Sequence, residues 1–342
     1  MPIPIIIGVA AVAAGLYGAK KGVSGAIDHS NAKDVNSDAS SMVESANQAM
    51  EDQRDSTNTM LKDYGRRKLQ AYSGVIHEFV ENYQKLQNVE VSQSSELDKL
   101  NVGDFSNNTL QVLRQDYQAL KDAGFGVGTG LSGGAVLAFG AYNGTMLLAT
   151  ASTGTAISSL GGVAATNATL AWLGGGSLAA GGYGMAGGMM VLGGIVAGPA
   201  LAVFGHILGS KGEEALNNAK RNMEQAITLC DQAELMAAKL KAIEEITALA
   251  NTVFSKVSSQ LYWAVSDLKR VIENHGVDCN NYTDESNGIV LRSVKLVQLL
   301  KAMIDTPILD KDGNLVLSTE KQINDFGAVA SGKKETLENL PA

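Results

Sequence analysis

Residues that could do chemistry are few in this 342-residue chain, and their spacing argues against each reaction they suggest. The four histidines, His29, His77, His206 and His275, are scattered along the chain, at separations that form no recognisable catalytic motif. Gly128, Gly130 and Gly133 satisfy the G-x-G-x-x-G pattern, but a dinucleotide site needs a strand before it and an acid about 20 positions later. Here a helical pattern precedes, and the next acid is Glu213. The run Gly130 to Gly134 (GLSGG) fits a nucleophile elbow around Ser132, a pattern that glycine-rich sequence produces readily. Asp310, Asp312 and Asn314 imitate the start of a calcium loop, yet the required glycine is Leu315 and the closing acid is Lys321. Cys230 and Cys279 lack metal-ligand spacing and read as reduced thiols of a cytosolic setting. The expectation is no catalytic residue, no cofactor, no metal and no enzyme.

The informative feature is where charge is missing. After Asp122 no Asp, Glu, Lys or Arg occurs until Lys211, so 88 consecutive residues carry no formal charge apart from His206, and 24 of the 38 glycines fall among them. A helix in a soluble bundle rarely avoids charge for so long, because its outer face meets water. A membrane span must avoid it, because a charge in hydrocarbon costs several kcal/mol. A bilayer core takes about 20 helical residues, so the stretch has length for two to four crossings. Thr129 to Thr150, Thr153 to Leu173 and Met185 to Leu208 are the expected helices, with glycine breaks at Gly174–Gly176 and Gly181–Gly182. Glycine, serine and threonine add little insertion energy, so these spans are marginal and suit helices packed on other helices. Gly188, Gly193, Gly194 and Gly198 are the expected packing contacts. His206 is expected at a pore mouth or at the interfacial end of its helix.

The N-terminus repeats the theme. Ile3 to Ala19 is apolar throughout and precedes Lys20 and Lys21, the reverse of a secretory signal's charge order, so a retained hydrophobic helix is expected. Ala14, Gly18, Gly22 and Ala26 recur every fourth residue and form a strip for close backbone approach.

Two long amphipathic patterns flank the charge-free stretch and would position it. Val43, Ala46, Met50, Met60, Tyr64, Leu69, Tyr72, Ile76, Phe79, Tyr83 and Leu86 trace a stripe at three- and four-residue steps, the mark of a coiled-coil-like helix. A shorter helix is expected from about Thr109 to Asp122. A second long helix is expected from Gly212 to about Asn274, uninterrupted by proline and stopped by His275 and Gly276. A helix from about Ile289 to Ile304 follows a polar loop, Pro307 ends it, and residues 308–317 read as a small β-hairpin with a polar tail after Phe326. The fold class is therefore all-α. The regions are 1–27 (hydrophobic helix), 28–122 (coiled-coil-like), 123–210 (glycine-rich, transmembrane), 211–275 (long helix) and 276–342 (helix, hairpin and tail).

The net charge of −8 disfavours a nucleic-acid duplex as partner and leaves apolar burial, not attraction to anionic lipid, to drive any membrane entry. The order of long helix, apolar insert and long helix resembles α-helical pore-forming toxins of the cytolysin A type, in which a soluble form hides a hydrophobic element until assembly. The run Ala165 to Gly182 (ATNATLAWLGGGSLAAGG) resembles a segment of bacterial membrane effectors of anti-phage defence, including the channel-forming partner of the Hailong type. That resemblance implies an oligomeric ion channel in the bacterial inner membrane. Such a channel is held shut until a nucleotide signal arrives or an inhibitory partner leaves, and then depolarises the cell. The expected partners are membrane lipid and further copies of the chain. The alternatives are a secreted pore-forming toxin component and a soluble helical scaffold with a glycine-rich core.

Overall fold

The computed structural model describes residues 32–89, 107–122, 136, 139–141, 213–310 and 314–331. The N-terminal apolar helix with Ala14, Gly18 and Gly22, and the glycine-rich residues 142–210 with Gly188, Gly193, Gly194, Gly198 and His206, lie outside them. So does the tail from residue 332.

What is described is helical, with no strand among the described residues. Helix α1 (Ala32–Ala71) runs into a π-helical turn (Tyr72–Ile76) and then α2 (His77–Tyr83). Next come α3 (Asn107–Asp122), α4 (Glu213–His275), a 3-10 turn (Cys279–Asn281), α5 (Asp284–Asp305) and α6 (Thr319–Ala330). No described helix is long and apolar enough to cross a membrane. The chain divides into two compact units, Met1–Thr59 with Met189–Glu244, and Met60–Gly188 with Glu245–Ala342.

In the first unit, α1 and α4 pack along a seam of small side chains. Val35, Ala39, Val43 and Ala46 meet Met223, Ala226, Cys230 and Ala233, spaced by threes and fours so that each set lies on one helical face. Polar bonds flank this seam. Asn222 Nδ2 donates to Asn36 Oδ1 at 3.0 Å, and Ser56 Oγ donates to Glu244 Oε1 at 2.9 Å.

The second unit has a larger, aromatic core. Tyr64, Tyr72, Phe79, Phe254, Leu261, Val297, Leu300, Ile304 and Ile308 are buried in it. Tyr64 and Phe254 meet edge to face, their centroids 5.7 Å apart. The π turn comes at Ser73 and Gly74, where glycine permits the wider backbone and His77 N–H reaches back to the Tyr72 carbonyl. That extra residue re-aims the stripe, so that Tyr72, Val75 and Ile76 are all buried.

The ends follow capping chemistry. Gly276, at φ 78°, closes α4 in the left-handed conformation. Helix α5 begins earlier than its apolar spacing implies, because Thr283 Oγ1 accepts from the Ser286 N–H at 3.2 Å and Asp284 and Glu285 fill the first turn. Helix α6 runs on past Phe326, where a polar tail is expected, to Ala330. Between α5 and α6, a single isolated antiparallel bridge joins Leu309 to Leu315, with Val316 N–H donating to the Ile308 carbonyl at 3.0 Å.

Candidate functional site

The second unit buries charge. Lys68 sits four residues after Tyr64 and four before Tyr72, on one face of α1. Its side chain is wholly enclosed, at 0% exposure. The ammonium donates to the Ile304 carbonyl at 3.2 Å and the Phe139 carbonyl at 3.4 Å, and lies 4.4 Å from the centroid of the Tyr64 ring. Ile304 is in the last turn of α5, where carbonyls lack intrahelical donors and a cation is favoured.

Around this lysine lie a second cation and two carboxylates. Tyr72 donates to Asp116 Oδ2 at 2.7 Å, and Lys301 Nζ approaches the same oxygen at 3.2 Å. One turn further along α5, Lys301 also holds Asp305, at 2.6 and 2.8 Å to its two oxygens. The cluster thus ties α1, α3 and α5 together.

Burial dominates the electrostatics. Loss of water around Lys68 pulls its pKa down from the usual lysine value to about 7, partly opposed by the negative charge of Asp305. Burial pushes the Asp305 carboxyl up, although the neighbouring Lys301 ammonium pulls it down. The Tyr72 hydroxyl is driven well up, by burial first and then by Asp116.

This cluster grips residues within the charge-free stretch. Phe139 and Ala141 are buried in the same unit, and Phe139 supplies a carbonyl to Lys68. The Ala141 carbonyl accepts from the N–H groups of both Ile308 and Leu309, each at 2.9 Å. Gly65 of α1 and Gly140 cross with backbones in contact. A methyl group on Gly65 would overlap the Val136 carbonyl, and one on Gly140 would overlap the Leu61 carbonyl. Here glycine is required by proximity, not by dihedral angle.

Chemically the cluster is a tie between helices. Its lysines and carboxylates are engaged with one another, with Tyr72 and with backbone carbonyls. Among the described residues no three His, Cys, Asp or Glu side chains are grouped to hold a metal ion. The expected packing glycines and His206 lie outside the described residues.

Sequence reasoning passed over Lys68, Asp116, Lys301 and Asp305. The signal available was Lys68 itself, a charge in line with Leu61, Tyr64 and Tyr72 where the stripe should be apolar. Protein-family models, curated proteins and solved structures were compared with the chain, and none matches it.

Proposed function

We propose that the chain is an oligomeric membrane channel or pore former whose glycine-rich stretch, 142–210, enters the bilayer while its helical units assemble copies around it. One observation carries this reading. Residues 139–141, inside the uncharged run, are held by backbone bonds, a glycine crossing and a buried ionic cluster. The remainder of the uncharged run, 142–210, thus follows a fixed anchor, as a segment that must transmit or resist force would require.

The absence of formal charge between Asp122 and Lys211 supports hydrocarbon as the environment of the residues beyond the anchor. Oligomerisation is expected because spans this rich in glycine cannot enclose water singly and need close helix–helix contact. On the resemblance to anti-phage effectors, the site of action is the bacterial inner membrane and the opening cue is a nucleotide signal or loss of an inhibitory partner.

Planar-bilayer recording with purified full-length protein tests the reading. Discrete conductance steps are expected, and Gly193→Leu or Gly194→Leu should reduce them and shift the oligomer size by crowding helix contacts. Unchanged conductance and oligomer size in both variants would remove the close-packing argument. Conductance that arises only when the protein is added from outside a target membrane, with none of it in the producer's inner membrane, favours the secreted toxin instead.

A further inference from the structure

A cavity of about 350 Å³ opens on the surface of the second unit, between α4 and the stretch of α1 that enters the π turn. That volume lies within the range of small-molecule sites, about 300–1,000 Å³. Its floor is Ala71, Val75 and Phe254, the last fully buried. The walls carry two kinds of chemistry.

One lining group is a guanidinium bonded to a hydroxyl. Arg67 Nη1 donates to Ser255 Oγ at 3.0 Å, and Ser255 passes its own proton to the Asn251 carbonyl at 2.8 Å. Among the described residues Arg67 has no carboxylate partner, whereas Arg66 pairs with Asp63 and Arg270 with Asp267. Ser258 and Ser259 line the same cavity. A planar fork of donors beside serine hydroxyls suits a phosphate oxyanion.

Two exposed rings also line the cavity. Tyr262 and Trp263 are 55% and 64% exposed, unusual for large aromatic side chains. Their planes stand at 77° with centroids 5.5 Å apart, so together they form a corner. A flat base stacks on one plane and gains little from the second. A compact ammonium group meets both faces, and cation–π attraction favours it there.

We infer that this cavity binds the headgroup of a zwitterionic phospholipid, with Arg67, Ser258 and Ser259 on the phosphate and Tyr262 and Trp263 around the ammonium. The inference rests on the membrane reading above and names the lipid class the protein meets first. The chain's net charge of −8 agrees with it, since a purely anionic surface repels the protein on average.

Phosphocholine and phosphoethanolamine, titrated as soluble compounds into the full-length protein, test it. A Trp172→Phe background leaves Trp263 as the sole tryptophan reporter. Either phosphoester should change Trp263 emission saturably, and the tighter of the two identifies the lipid. Arg67→Ala should weaken binding at least tenfold, and inorganic phosphate or the free amine alone should bind no better than that variant. The inference is overturned by no saturable change, by a response that Arg67→Ala leaves intact, or by inorganic phosphate matching the phosphoesters. Adenosine monophosphate binding as tightly as they do would also overturn it, by making a flat base the preferred ligand. Because soluble headgroups need no insertion, binding without conductance removes the channel and keeps the site, while conductance without binding does the reverse.

Discussion

The two units solve the same problem, holding α1 segments against α4 segments, with opposite chemistry. The first uses alanine, valine, methionine and cysteine in a thin repetitive seam, in which the small side chains resemble one another. The second uses aromatic rings, a glycine crossing and buried charge, and each group there has partners that no neighbour could replace. A repetitive apolar seam specifies that two helices pack but specifies register weakly. A buried ionic cluster specifies register strongly, because any slip leaves a charge without its partner. The charge-free stretch begins in the unit that cannot slip.

Breaking the ionic cluster should produce the largest effect. Asp116→Ala removes the acceptor of Tyr72 and a partner of Lys301, and should cost about 3–5 kcal/mol in denaturant unfolding of the second unit. The glycine crossing comes next. Gly65→Ala forces α1 away from the Val136 carbonyl, and a loss of about 1–3 kcal/mol is expected in the same measurement.

A third prediction uses the sign of a titration. Lys68 titrates near 7 when folded and at its ordinary higher value when unfolded, so between those values the unfolded chain binds more protons. The penalty of burying this lysine is therefore complete below about 7 and fades as pH rises above it. Raising the pH from about 7 to about 9 should stabilise the protein through this group. Burial of Asp305 acts in the opposite sense, since its raised folded pKa costs stability as pH climbs from the ordinary carboxylate value through the raised one. Lys68→Met should flatten the rise above neutrality, read as the difference between the two proteins' urea midpoints at each pH. An equal slope in both would remove Lys68 as its source.

The smallest effect belongs to the first unit. Glu244→Ala deletes the acceptor of Ser56 and Gln53 at the edge of the seam, where water can replace it. Less than about 1 kcal/mol is expected. A cost as large as that of Asp116→Ala would erase the distinction between the units.

The legible and illegible parts of the molecule divide along similar lines. The long helices are readable because Val43, Ala46, Met50, Tyr64, Tyr72 and Phe79 repeat at helical steps and are buried as that spacing implies. The stop at Gly276 is readable because it rests on one residue's freedom at positive φ. The start of α5 is displaced to Asp284 because one threonine hydroxyl decides it and apolar spacing does not. The π turn depends on a choice of backbone bonding at Ser73 and Gly74 that residue types permit without demanding. The ionic cluster unites residues 68, 116, 301 and 305, separations over which no local pattern acts. Lys68 stands out in sequence only as a charge within an apolar stripe, and its partners there come from residues far along the chain.

Dye release from liposomes tests the central claim most directly, using the intact chain, the Asp116→Ala variant, and each of these lacking residues 142–210. The account predicts release by the intact chain, faster release once Asp116→Ala loosens the anchor, and none from either deletion. Release that survives the deletion, or its absence from both full-length proteins, would contradict a membrane role for the glycine-rich stretch.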